Sequence, residues 1–103
     1  MGIFDGQTAI VTGAAQGLGK AFDEALSAEG ANVYICDIKE EVNTVAEGIR
    51  AGGGQAEAFV ADVSNRSDVE NFVAAAAKDG IDILVNNAGK WKQTPVTSDW
   101  EQT

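Results

Sequence analysis

The chain has 103 residues, 45% hydrophobic and 22% charged, a balance suited to one soluble globular domain. A net charge of −9 argues against a nucleic-acid backbone or an anionic membrane as partner. With no histidine and one cysteine, Ser-His-Asp and Cys-His catalysis, a histidine metal site and an internal disulfide framework are all excluded. No metal site is expected.

The lone Cys36 fits a reducing compartment, and its place in an apolar run marks it as a packed core thiol. No apolar stretch approaches the roughly 20 residues of a membrane span. The start lacks the basic and apolar segments of a signal peptide. Gly6 stands where a myristoylated Met-Gly start needs Ser or Thr. The expected location is cytoplasmic.

In chain order, residues 8–11 read as a short buried strand and residues 12–17 as a glycine-rich turn. A helix opens at Leu18, with Leu18, Phe22, Ala25 and Leu26 forming one apolar stripe and Gly30 as its stop. Residues 32–36 form a second strand ending at Asp37. The next helix carries Val42, Val45, Ala46 and Ile49 on one face and ends in Gly52-Gly53-Gly54. A third strand, 56–61, ends at Asp62. The helix after it opens with Ser67-Asp68-Val69-Glu70, a capping box, and buries Val69, Phe72, Val73 and Ala76. A fourth strand, 81–85, runs into Asn86-Asn87-Ala88-Gly89.

This β-α-β-α-β-α-β order predicts an α/β fold, a doubly wound parallel sheet with helices on both faces and strand order 3-2-1-4. Ligands of such sheets bind at the carboxyl ends of the strands, near the reversal of strand order. The glycine turn, Asp37, Asp62 and residues 86–89 all fall at such ends. A second capping box, Ser98-Asp99-Trp100-Glu101, is followed only by Gln102 and Thr103, too little for a stable helix. Strand four would also be an uncovered apolar edge. Residues 1–103 are therefore expected to be the front portion of a longer protein, a single incomplete domain cut in the first turn of a helix.

The candidate site residues have distinct roles. A glycine turn at a helix start lets a phosphate reach unpaired N–H groups, and here the spacing is Gly13-x-x-x-Gly17-x-Gly19. Asp37 lies 18 positions after Gly19, near the spacing of an acid that binds the adenosine ribose. A carboxylate there repels a 2′-phosphate and favours NAD over NADP. Lys39 pulls the other way, whereas the turn offers only the neutral Gln16. Asp62-Val63 reads either as an adenine contact or as an Asx-type turn. Two amides at a buried strand end, Asn86 and Asn87, must find partners. Asn86 suits a tie between strands, and Asn87-Ala88-Gly89 leaves room for a cofactor ribose. Trp91 reads equally as a substrate-entrance residue or a cover for the sheet edge.

Together Thr12-Gly13-Ala14-Ala15-Gln16-Gly17-Leu18-Gly19, Asp37, Asp62-Val63 and Asn86-Asn87-Ala88-Gly89 resemble the classical short-chain dehydrogenase/reductase family over nearly the whole chain. The resemblance implies a Rossmann-type fold and hydride transfer between nicotinamide and a secondary alcohol or ketone. It implies that residues 13–19 (Gly13, Ala14, Ala15, Gln16, Gly17, Leu18 and Gly19) cradle the pyrophosphate of NAD. Asp37 and Ile38 would meet the adenosine ribose, Asp62 and Val63 the adenine, and Asn87, Ala88 and Gly89 the rest of the cofactor. The family's catalytic Ser, Tyr-x-x-x-Lys and Asn have no counterpart: the sole tyrosine, Tyr34, lies inside strand two with Ile38 at the lysine position. The expected parent is an NAD-dependent oxidoreductase that forms homo-oligomers, and this chain alone is expected to be inactive. Two other readings are a non-catalytic nucleotide-binding module complete at this length and a methyltransferase. The glycine spacing and Asn-Asn-Ala-Gly argue against the second.

Overall fold

The computed structural model describes residues 2–78 and 80–87. β1 (Thr8–Thr12), sequence TAIVT, is buried along its whole length. A β-branched run of this kind fits a strand covered on both faces. It is followed by α1 (Gly17–Ala28), β2 (Asn32–Asp37), α2 (Glu41–Ala51), β3 (Gln55–Val60), α3 (Arg66–Ala77) and β4 (Ile83–Asn86). The four strands form one sheet in the order β3-β2-β1-β4, every pair parallel. The doubly wound topology expected from the element order is the one observed.

Side chains alternate between two cores. Ala9, Val11, Val33 and Ile35 pack with Val42, Val45, Ala46 and Ile49 of α2 and with Phe22 and Leu26 of α1. On the opposite face Ile10 and Cys36 pack with Phe72 and Ala76 of α3. Phe59 meets Phe72 edge to face at 5.4 Å between ring centroids. Helices therefore lie on both faces, α1 and α2 on one and α3 on the other.

Local details depart from the sequence expectations at several points, and Val73 of α3, expected inside, is exposed. α1 turns Gly19, Phe22, Asp23 and Leu26 toward the sheet, while Leu18 and Ala25, expected inside, are exposed. α3 starts two residues early, capped by the Asn65 side chain, which accepts from the Asp68 N–H at 3.1 Å. An amide oxygen reaching the N3 donor is a full N-cap, so Ser67 is left inside the first turn. β4 begins at Ile83, because Asp82 caps the strand instead of extending it. Its N–H donates to the Thr8 carbonyl and its carboxylate accepts from the Thr8 N–H, both at 2.9 Å. Ala88, Gly89, Trp91 and the second capping box lie outside the described residues.

Candidate functional site

The carboxyl ends of β1, β2, β3 and β4 meet around the turn between β1 and α1. Gly13 and Gly17 there have φ of +64° and +61°, a left-handed backbone that glycine adopts without steric cost. Gly19 is constrained differently. A Cβ built on it would overlap the Gly13 carbonyl and lie 2.9 Å from Asn87 Nδ2. The helix start is thus pressed against the strand end, leaving no room for a side chain between them.

The turn is fastened to the end of β2. The Ala14 N–H donates to the Cys36 carbonyl and the Ala15 N–H to Asp37 Oδ2, each at 3.0 Å. Asp37 Oδ1 accepts from the Lys39 N–H, also at 3.0 Å. These bonds use two of a carboxylate's roughly four lone-pair positions, so Asp37 keeps acceptor capacity for a ligand. The turn is also fastened to β4. Thr12 Oγ1 donates to Asn86 Oδ1 at 2.9 Å and accepts from the Asn87 N–H at 3.0 Å. Asn87 Nδ2 donates to the Gly13 carbonyl at 3.3 Å. Asn86 thereby ties β4 to β1.

Between these elements lies a cavity of about 830 Å³, lined by Gly13, Gln16, Gly17, Asp37, Ile38, Asp62, Val63 and Asn87 together with Ala61 and Ser64. Most residues singled out from the sequence converge on it. Ala14 and Ala15 are instead buried behind the turn, Leu18 points outward, and Gly19 supports the turn from below. Ala61 and Ser64 went unremarked in the sequence, although both flank the flagged Asp62. Asp62 Oδ1 accepts from the Ser64 N–H at 2.9 Å and from its hydroxyl at 2.6 Å. The Asx turn is therefore real, and it sits in the cavity wall.

The electrostatics suit an anion at the helix start. Gln16, the N-cap of α1, makes no side-chain hydrogen bond to the helix, and the first turn holds no acidic residue. Neither the cap nor the first turn of α1 thus supplies a side chain to offset the amide dipoles there. The glycine cradle, the helix start without a side-chain cap and the Asp37 carboxylate in the cavity wall together fit a dinucleotide.

A family model described as short chain dehydrogenase matches residues 7–103. The chain belongs to the short-chain dehydrogenase family. Relatives and folds agree. It is 47% identical over 93 residues to the uncharacterized oxidoreductase YxbG of Bacillus subtilis, covering 86% of this chain and 34% of that one. A solved structure of a 7α-hydroxysteroid dehydrogenase complexed with NADH and 7-oxo glycochenodeoxycholic acid superposes with a TM-score of 0.81 at 33% identity. That match covers 95% of this chain and 41% of that one. An actinorhodin polyketide ketoreductase solved with NADPH gives 0.79 at 34% identity, covering 87% and 36%. The chain spans about a third of the length of the curated relatives it matches.

In this short-chain dehydrogenase chain the thiol behind the site is inert. Cys36 is buried beside Ile10 and Ala61, and burial, then Asp37 and Asp23, push its pKa up to about 12. It stays protonated and packs as a small apolar group. Tyr34 is part of the same packing layer, half-buried within β2. Among the described residues no group of three or more Cys, Asp or Glu side chains could hold a metal ion. No helix among them is long and apolar enough to cross a membrane.

Proposed function

We propose that the whole protein is an NAD-dependent oxidoreductase acting on a secondary alcohol or its ketone, and that this chain supplies the dinucleotide-binding part. The observation that carries the reading is Asp37. Two backbone N–H groups fix its carboxylate at the rim of the cavity that the glycine turn opens. Family membership leaves the choice of nucleotide to the residues, since the two structural neighbours carry NADH and NADPH. A fixed carboxylate accepts ribose hydroxyls and repels a 2′-phosphate, which favours NAD.

In this reading Gly13, Gln16 and Gly17 form the pyrophosphate cradle, with Ala14, Ala15, Leu18 and Gly19 holding its shape. Asp37 and Ile38 take the adenosine ribose, Asp62 and Val63 the adenine, and Asn87, Ala88 and Gly89 the part nearer the nicotinamide. The bound nicotinamide supplies the hydride acceptor or donor. This chain's own residues orient the dinucleotide and supply no proton donor, so the chain by itself does not turn over. Localisation in the cytoplasm and assembly of the parent into a homo-oligomer belong to the same proposal.

The test is a titration of the chain with NAD and NADP, wild type beside Asp37→Ala, read by intrinsic fluorescence and thermal shift. Wild type should bind NAD more tightly than NADP. Loss of two charge-assisted ribose bonds should weaken NAD by about 10- to 100-fold in Asp37→Ala and close the gap to NADP. Equal binding of both nucleotides by wild type would overturn the choice of NAD. A folded chain that binds neither would overturn the site.

A further inference from the structure

Asp23 is the one charged side chain buried among the described residues. It lies one turn after Gly19 on the inward face of α1. It is 0% exposed, and neither carboxyl oxygen has a hydrogen-bond partner. Nothing in the proposed nucleotide site uses it. The only ion pair among the described residues, Arg66 with Glu70, lies on α3, so no described cation is paired with Asp23. A buried, unpaired carboxylate is costly enough that such a group takes up a proton instead.

Its surroundings reinforce this. β1 (TAIVT) and β4 (ILVN) carry no ionisable side chain. β2 offers Asp37 and the neutral Cys36 thiol, and α1 itself offers Glu24. The cation of α1, Lys20, is exposed, as are Glu41, Glu47 and Arg50 of the neighbouring α2. The charges acting on Asp23 are therefore acidic.

We propose that Asp23 is a proton-dependent anchor of α1. In its neutral form it packs as a small side chain beneath the glycine turn. Once ionised it is drawn toward water, loosening the start of α1 from the sheet and with it the Gly19–Gly13 contact. Burial, then Glu24 and Asp37, push its pKa up to about 8 in the folded chain, against about 3.9 for a free aspartate. Between those values the folded chain holds a proton that the unfolded chain has released. The anchor's contribution is full below the lower value, is lost as pH rises through the window, and is gone above the upper one.

The experiment needs no nucleotide and is independent of the cofactor reading. The 103-residue chain is melted from about pH 5 to about pH 9 at constant salt, as wild type, Asp23→Asn and Asp23→Ala. The carboxyl carbon resonance of Asp23 is followed alongside. Asp23→Asn keeps the shape and cannot ionise, so its melting temperature should gain on wild type by roughly 10 °C or more across the range. Asp23→Ala should show the same gain in slope from whatever stability it starts with. The resonance should titrate near the upper end of the window. Parallel melting curves for wild type and both variants, or a resonance titrating in the ordinary carboxylate range, would overturn the proposal.

Discussion

At Gly19 a methyl group has nowhere to go. Its path is blocked by the Gly13 carbonyl, a backbone atom that cannot swing aside as a flexible side chain would. Gly19→Ala is therefore expected to destabilise the chain by about 1–3 kcal/mol, read by urea denaturation. Gly17→Ala should behave differently. Nothing lies within 4 Å of its added Cβ, but φ is +61°, so the cost is conformational, about 1 kcal/mol, with no steric overlap. Both glycines were legible in the sequence from their spacing, whereas the different demands on them were not. Spacing says where the backbone must be close or left-handed, and only the fold says which.

Between neighbouring elements, the Thr12 hydroxyl joins two strands whose residues are 74 and 75 positions apart in the chain. Thr12→Val preserves shape and removes both bonds, leaving Asn86 Oδ1 and the Asn87 N–H without this partner. The expected loss is about 1–3 kcal/mol, with faster hydrogen exchange at Asn87. At the start of α3, Asn65→Ala removes the cap on Asp68 and should cost about 1 kcal/mol. The element order, the buried face of α2 and the sheet topology were legible because hydrophobic period and turn residues agree there. The rotation of α1 was not. Its apolar pattern pointed Leu18 and Ala25 inward, but the close approach of Gly19 to Gly13 fixes the helix and carries Asp23 inside. Backbone contact outranked side-chain hydrophobicity. The start of α3 was misplaced for a simpler reason: the Ser67 to Glu70 pattern suggested a cap there, whereas the Asn65 side chain takes the Asp68 N–H and starts the helix earlier.

For the molecule as a whole, 16 acidic residues face 7 basic ones, and the described residues hold one ion pair. Most of the described charged side chains are exposed, and an excess of one sign at the surface repels itself. Screening should relieve that repulsion. Raising salt from about 0.01 M to about 0.5 M, where the Debye length falls from roughly 30 Å to a few ångströms, should raise the melting temperature by several degrees. At any one salt concentration Arg66→Ala should shift the melting temperature little, since an isolated surface bridge contributes about 0–1 kcal/mol. The opposite end of the charge question is the cavity, where none of the described lining residues is basic and compensation for an anion comes from backbone dipoles. The chain's overall charge therefore opposes the ligand that its local geometry invites, and added salt should ease nucleotide entry as well as stabilise the fold.

The pairing of β4 with β1 also sets an order of events. β1, β2 and β3 pair between segments about 25 residues apart, while the β1–β4 register joins Ala9 to Ile83 and Thr12 to Asn86. Closing the longer loop carries a greater entropic cost and brings its reward last. On a ribosome the cradle, Asp37 and Asp62 would all exist before Asn87 is synthesised. Until then the Gly13 carbonyl lacks its amide and Gly19 lacks one of its two walls. Among the described strands β4 is the last to be made, so the part of the pocket wall that Asn87 supplies is added after the rest.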